Sequence, residues 1–138
     1  MSPPSLSDKP TTVLFIDDDE EDLNLWSEGL IQCSADYSIL QAKTVKAGLE
    51  LYERNCIDCV LLDLDLPHES GFEVLIALLA ERKQLLKPVI VLTRLYNPVL
   101  REMTLGNGAC EYVIKHHSSP QALHEAIQKA IGSVGERE

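Results

Sequence analysis

The sequence predicts an α/β protein, a single doubly wound (βα)5 domain in which helices cover both faces of a five-stranded parallel sheet. After residue 11, short apolar runs alternate with amphipathic segments of about a dozen residues, which is typical of βαβ units. The runs are rich in Val, Ile, Leu and Tyr, as expected for strands covered on both faces. With 138 residues and 45% hydrophobic content, the chain has the size of one globular domain.

Five strands are predicted from the apolar runs, in chain order. They are Thr12–Ile16, Tyr37–Gln41, Asp58–Leu62, Pro88–Leu92 and Glu111–Ile114. Right-handed crossovers, with the order of strand addition reversed after the second strand, arrange these parallel strands in the order 2-1-3-4-5.

Five helices alternate with the strands. The first is predicted near Glu20–Cys33 and the second near Thr44–Arg54. The third begins at Ser70, where Ser-Gly-Phe-Glu forms a capping box. Asn97-Pro98 and Ser119-Pro120 each place a cap residue before a Pro at the first helical position, so the fourth and fifth helices begin there. The residues expected on buried helix faces include Leu23, Trp26, Leu30, Val45, Leu49, Tyr52, Leu123, Ile127 and Ile131.

One domain is expected over residues 11–133, with a flexible amino-terminal tail over residues 1–10 and a carboxy-terminal tail over residues 134–138. The four cysteines are interpreted as small buried hydrophobic residues rather than as a disulfide framework.

The acidic composition narrows the classes of partner. The chain has 12 Lys and Arg against 22 Asp and Glu, a formal net charge of −10. This charge repels phosphate backbones and anionic lipids, so direct binding to nucleic acid or to membranes is not expected. No apolar stretch approaches the roughly 20 residues of a membrane helix, and MSPPSLSDKP lacks the apolar centre of a signal peptide. We therefore expect a cytoplasmic protein.

Polar residues follow four of the five predicted strands. Asp17 and Asp18 follow the first strand, Asp63 the third, Thr93 the fourth and Lys115 the fifth. In open parallel sheets the ligand crevice lies beyond the carboxyl ends of the strands, so these side chains are expected to meet at one edge.

The predicted cluster of three carboxylates requires positive charge. Two like charges about 4 Å apart repel by roughly 4 kcal/mol at an effective dielectric near 20. Lys115 supplies one cation, and the remaining acidic character suits a hard divalent ion such as Mg²⁺. A metal, a Lys and a Thr around a carboxylate nucleophile are also the groups that phosphoryl transfer requires.

Four segments stand in the order and approximate spacing of the motifs of one protein family. They are VLFIDDDEED, VLLDLDLPHESG, VIVLTR and EYVIK. Over about residues 11–133 the chain resembles the receiver domain of two-component response regulators, which implies a flavodoxin-like fold. The resemblance implies that Asp63 is the phosphoacceptor of a phosphorelay and that Mg²⁺ is the cofactor. It also implies that Asp17, Asp18, Asp63 and the backbone carbonyl of Asp65 hold the metal, while the acids from Asp19 to Asp22 begin a helix.

The resemblance further implies how such a domain works. Lys115 looks like the phosphate-binding lysine, Thr93 like the switch hydroxyl and Tyr112 like the aromatic switch residue. The implied partners are a sensor histidine kinase or phosphotransfer domain and a downstream protein that binds the face of the fourth and fifth helices. Such a domain is a signalling switch rather than an enzyme, since it catalyses only its own phosphoryl transfer and dephosphorylation.

Two departures from the family pattern leave alternatives open. Arg94 follows Thr93 where the family usually has a small residue, and His116 follows Lys115 where it usually has Pro. These departures motivate an alternative interpretation, a receiver-like interaction scaffold that is not phosphorylated. A further alternative is a phosphohydrolase of the haloacid dehalogenase type, because Asp63-Leu64-Asp65 resembles its DxD motif. In that family the DxD follows the first strand, so the order of motifs favours the receiver domain.

Overall fold

The fold is taken from a computed structural model, which describes residues 10–64, 87–94, 96–106 and 108–137, the last five by their backbone alone. The helix predicted to begin at Ser70 lies outside these residues. So does Asp65, the predicted source of a metal-binding carbonyl.

Five parallel strands form one sheet, as predicted. They are β1 (Thr11–Ile16), β2 (Tyr37–Ala42), β3 (Cys59–Leu62), β4 (Val89–Thr93) and β5 (Glu111–Ile114). Their order is β2-β1-β3-β4-β5, and every neighbouring pair is parallel. Each predicted strand is found, with its ends displaced by no more than one residue. Because β1 lies between β2 and β3, the polar residues that follow β1 and β3 lie next to each other.

The described helices are α1 (Glu20–Cys33), α2 (Val45–Arg54), α3 (Pro98–Gly106) and α4 (Pro120–Arg137). A single 3₁₀ turn, Lys115–His117, follows β5. The helix starts agree with the sequence because polar side chains satisfy the free backbone N–H groups there. The capping side chains are Asp19 for α1, Thr44 for α2, Asn97 for α3 and Ser119 for α4.

The sheet carries one apolar layer on each face, because successive strand residues point to opposite sides. Helices α2 and α3 cover one face, and helices α1 and α4 cover the other. The first layer includes Leu14, Ile16, Tyr52, Val60, Leu62, Val91 and Tyr112. The second layer includes Val13, Phe15, Leu23, Trp26, Leu30, Leu61, Ile90, Leu92, Leu123 and Ile127.

Several sequence expectations need correction or refinement. Helix α4 continues past the predicted domain end at residue 133 and reaches Arg137. On α2, Tyr52 is buried as predicted, whereas Val45 and Leu49 are half-buried at its margin. The interpretation of the cysteines as buried residues was wrong for Cys56 and Cys110, which are exposed, and holds for Cys59; all four are free thiols. Within the described residues, no helix is long and apolar enough to cross a membrane.

Gly48 brings helix α2 close to the end of β1, where the polar edge begins. A Cβ atom at Gly48 would lie 2.6 Å from Cδ1 of Ile16, whose side chain is fully buried. We expect Gly48→Ala to lower the free energy of unfolding by about 1 kcal/mol, since overpacking outweighs the gain in helix propensity. Gly132→Ala is the control, because nothing lies within 4 Å of its added Cβ atom and helix propensity alone predicts stabilisation. Urea unfolding measures the free energy of unfolding of both variants. Changes of the same sign in the two variants would contradict the prediction.

Candidate functional site

The carboxyl edge of the sheet positions the acidic residues through continued strand pairing. The N–H of Asp17 donates to the carbonyl of Ala42, 2.9 Å away, and the N–H of Asp63 donates to the carbonyl of Ile16, 3.0 Å away. Each aspartate is therefore held by the neighbouring strand just beyond the end of its own. Both are buried, with residue exposures of 0% and 4%. Oxygen atoms of the two carboxylates lie within 4.8 Å of each other, which confirms the prediction that these side chains meet.

Lys115 lies at the centre of the site. Its Nζ is 2.6 Å from Oδ2 of Asp17, 2.8 Å from Oδ2 of Asp22 and 3.1 Å from Oδ2 of Asp63. An ammonium group has three N–H donors, so these three carboxylates accept the full set. The side chain of Lys115 is only 5% exposed. The arrangement is thus a buried cation enclosed by carboxylates from three different parts of the chain.

Asp22 is the site residue that the sequence reasoning missed. The sequence predicts that the acids from Asp19 to Asp22 begin a helix, and Asp19 does cap α1. Asp22 lies in the first turn but is buried and binds Lys115. The spacing held a signal, because residues four apart share a helix face and Asp22 lies four residues before Trp26, which was predicted to be buried.

Arg94 is the second cation that contacts Asp22. Its Nη2 lies 2.8 Å from Oδ2 and 2.9 Å from Oδ1 of Asp22, and 3.5 Å from Oδ2 of Asp19. The side chain of Arg94 is 48% exposed. The unusual residue after Thr93 therefore adds a cation at the mouth of the pocket and binds the first turn of α1.

Burial and the neighbouring charges set the protonation of the pocket. Burial raises the pKa of Asp17 from 3.8 to about 6, against the hydrogen bonds from Lys115 and from the N–H of Asp19 and with the added repulsion of Asp63. Burial by itself lowers the pKa of Lys115, but its bonds with Asp17 and Asp22 and the charge of Asp63 raise it to about 12. Burial opposes ionisation of Asp22 as well, yet Lys115 and Arg94 lower its pKa overall. Lys115 is thus charged at neutral pH.

Three carboxylates form a candidate metal site. One oxygen from each of Asp17, Asp18 and Asp63 can be chosen so that all three lie within 4.8 Å of one another. Asp18 is exposed, whereas the other two are buried, so the cluster opens to solvent on the side of Asp18. An all-oxygen donor set with an open side suits Mg²⁺, which retains several water ligands. Three of the four predicted metal ligands are thus brought together, and the fourth, Asp65, lies outside the described residues.

The predicted switch residues lie beside this pocket. Thr93 is the last residue of β4 and is fully buried. Tyr112, on the neighbouring strand β5, is 7% exposed and belongs to the apolar layer that contains Leu62 and Val91. Burial and the charge of Asp63 raise the pKa of Tyr112. His116, the other departure from the family pattern, is exposed.

A separate cavity lies at the amino edge of the sheet, where β1 and β2 begin. Its volume is about 410 Å³. Its lining includes Tyr37, whose hydroxyl lies 2.6 Å from Nδ1 of His124 and accepts a hydrogen bond from Gln128. None of the predicted site residues lines this cavity, because they lie at the opposite, carboxyl edge of the sheet.

The fold and the acidic pocket agree with the comparison to known families. The family model of the response regulator receiver domain matches residues 13–128. The chain belongs to this family. Receiver domains are signalling switches that bind Mg²⁺ at an acidic pocket, and the pocket here has the aspartate cluster. Family membership favours this function class over the phosphohydrolase alternative.

Known relatives and a solved structure extend the comparison. The chain is 36% identical over 109 residues to a probable cyclic di-GMP phosphodiesterase of Vibrio cholerae, covering 79% of this chain but only 24% of that protein. It is 29% identical to the polar-differentiation response regulator DivK of Brucella anthropi, covering 89% of this chain and 98% of DivK. A CheY-like receiver domain from Methanospirillum hungatei superposes with a TM-score of 0.81 at 24% identity, covering 94% and 100% of the two chains. That last likeness supports the fold.

Proposed function

We propose that this receiver domain is a phosphoacceptor in a two-component phosphorelay, with Asp63 as the residue that is phosphorylated. The observation that supports the proposal most is the position of Asp63. Its carboxylate lies 3.1 Å from Nζ of Lys115 and within the cluster formed with Asp17 and Asp18. A carboxylate nucleophile beside a fixed ammonium group and a metal-binding cluster has the electrostatic surroundings that phosphoryl transfer requires.

The proposed reaction is a transfer from the phosphohistidine of a sensor kinase or phosphotransfer domain. A carboxylate oxygen of Asp63 attacks phosphorus, the new O–P bond forms as the N–P bond of the phosphohistidine breaks, and the imidazole leaves with the bonding electron pair. Lys115 neutralises charge on the phosphoryl oxygens, because its ammonium group already lies beside the acceptor. Asp17, Asp18, Asp63 and the carbonyl of Asp65 are the proposed ligands of Mg²⁺, which would further neutralise those oxygens when bound.

The proposed switch connects the new charge to a partner-binding face. The hydroxyl of Thr93 binds a phosphoryl oxygen, and Tyr112 moves with it, which alters the surface formed by α3 and α4. Val99 and Met103 of α3, and Tyr96 just before it, are exposed apolar side chains, which supports a role in binding a downstream protein. The cytoplasmic location expected from the sequence remains part of this proposal.

Treatment with acetyl phosphate and Mg²⁺ tests the proposal. We expect intact-mass spectrometry to show the addition of one phosphoryl group to the wild-type chain and none to Asp63→Asn. Asp36→Asn is the matched control, because it removes one exposed aspartate charge at the amino edge of the sheet, away from the pocket. This control is expected to be phosphorylated as the wild type is. A wild type that gains no phosphoryl group, or an Asp63→Asn variant that still gains one, would contradict the proposal.

The ion pair between Arg94 and Asp22 supports one alternative function, a protein-binding scaffold that is never phosphorylated. In that case the contacts of Lys115 and Arg94 with carboxylates serve only to stabilise the fold. Calorimetric titration with Mg²⁺ distinguishes the two proposals. A phosphoacceptor is expected to bind Mg²⁺ at millimolar concentration or below and to lose this binding in Asp18→Ala, whereas a scaffold need not bind the ion.

A further inference from the structure

Asp22 is shared by the two cations of the pocket. Its Oδ2 atom lies 2.8 Å from Nζ of Lys115 and 2.8 Å from Nη2 of Arg94. The side chains of Asp22 and Lys115 are 10% and 5% exposed, whereas that of Arg94 is 48% exposed. Asp22 therefore links a cation fixed inside the pocket to one that reaches the pocket from its mouth.

The donor capacity of Lys115 limits what can happen on phosphorylation. All three of its N–H groups point to carboxylates, so binding a phosphoryl oxygen requires it to release one of them. Asp63 is the acceptor itself, and Asp17 belongs to the candidate metal cluster. The contact with Asp22 is the one that neither the acceptor nor the metal needs.

Lys115 can release Asp22 at low cost because the carboxylate of Asp22 remains paired with Arg94. A buried carboxylate that loses its only cation carries a large desolvation penalty. Arg94 contacts both oxygens of Asp22, so the carboxylate stays paired after Lys115 turns away. Arg94 directly follows the proposed switch residue Thr93, so the pairing also connects the end of β4 to the first turn of α1.

We propose that Asp22 is a positioning residue that competes with the phosphoryl group for Lys115, and that Arg94 lowers the cost of this exchange by keeping Asp22 paired. The inference rests on the proposed function, since it requires that Asp63 accepts a phosphoryl group. Asp22 thereby favours the unmodified state, and Arg94 favours the phosphorylated one.

Titration with beryllofluoride, a phosphoryl mimic, at saturating Mg²⁺ tests the inference by NMR. We expect Asp22→Asn to bind the mimic about tenfold more tightly than the wild type, because the competing charge is gone. Arg94→Gln is expected to bind about tenfold more weakly, because Asp22 then holds Lys115 more strongly. In the double variant the effect of Arg94→Gln is expected to disappear, because Arg94 acts through Asp22.

A Mg²⁺ titration without the mimic distinguishes positioning from loss of structure. Asp22→Asn removes negative charge next to the metal cluster, so Mg²⁺ is expected to bind a few fold more weakly while the mimic binds more tightly. A loosened fold would weaken both. Glu21→Gln is the matched control, since Glu21 is an exposed acid in the same first turn, and both affinities are expected to stay within about twofold of the wild type.

The results expected for these variants distinguish failure of the proposed role of Asp22 from failure of the proposed phosphoacceptor function. A wild type that binds the mimic, together with an Asp22→Asn variant that binds it no more tightly, overturns the inference alone. The same holds if Arg94→Gln still weakens binding in the double variant, or if Arg94→Gln by itself changes nothing. Should Asp22→Asn fail to fold, Arg94→Gln decides the matter, because it changes a half-exposed side chain. A wild type that binds no mimic overturns the proposed function and the inference with it.

Discussion

Lys115→Met is expected to lower the free energy of unfolding by about 3–5 kcal/mol at neutral pH in the absence of divalent ions. The ammonium group of Lys115 contacts Asp17, Asp22 and Asp63 in a pocket where its own side chain is 5% exposed. Removing it leaves mutually repelling carboxylates without the cation that separates them. Methionine occupies a similar volume, so loss of charge rather than loss of packing dominates the change.

Urea unfolding at pH 7 measures this effect, and Lys43→Met is the control. Lys43 pairs with Glu20 on the surface, where solvent screens the interaction, so no measurable change is expected there. Adding Mg²⁺ is expected to restore much of the stability of Lys115→Met, because the ion takes over the neutralising role. Equal effects of the two substitutions would refute a buried electrostatic role for Lys115.

The pKa of Lys115 fixes the pH range of its contribution. The folded value, about 12, lies above the ordinary value of 10.5. The stabilisation is therefore fully present below pH 10.5 and is lost as the pH rises toward 12. Neutral pH thus reports the whole contribution of the ammonium group.

Asp17→Asn is expected to raise the stability of the metal-free chain at pH 7 by about 2 kcal/mol and to leave it nearly unchanged at pH 4. The folded pKa of Asp17, about 6, lies above its ordinary value of 3.8. Between these values the folded state binds more protons than the unfolded state, so wild-type stability falls as the pH rises from 3.8 to 6. Asparagine resembles the protonated carboxyl group and avoids this loss.

Comparing the two proteins across the pH range removes the effect of the overall charge, which is −10 in the wild type. The opposing contribution of Asp22 lies outside the same window. Its folded pKa is lowered, so its stabilisation is present above 3.8 and is lost only at lower pH. Saturating Mg²⁺ is expected to shrink the difference between wild type and Asp17→Asn at pH 7, because a bound ion stabilises the ionised carboxylate. A difference that is independent of pH would show that burial does not oppose ionisation of Asp17.

The two predictions describe a pocket that carries excess negative charge unless another cation binds, although the domain folds without one. Asp17, Asp18, Asp22 and Asp63 contribute four carboxylates, and Lys115 and Arg94 contribute two cations. One divalent ion balances the remaining charge. The pocket therefore trades stability for the capacity to hold a metal next to a phosphoacceptor, as functional sites commonly do.

The sequence by itself determined most of the fold. Periodicity located all five strands because each is a short apolar run with few alternative interpretations. The caps at Asn97 and Ser119 were readable because each stands directly before a Pro at the first helical position. Strand order followed from the handedness of the crossovers, and it placed Asp17, Asp63 and Lys115 at one edge. These features depend on local chemistry or on general rules of chain topology.

Only the tertiary structure decided which acids share the pocket. Asp22 belongs to a run of acidic residues that all carry the same carboxylate group. Asp22 nevertheless binds Lys115, whereas Asp19 caps a helix and Glu21 is exposed. Arg94 gave no sequence signal for its partner, because Asp22 lies 72 residues away along the chain. Contacts between side chains on separate elements depend on how those elements pack in three dimensions. Local sequence patterns carry no information about the distance between such side chains, so only the folded structure decides which residues pair.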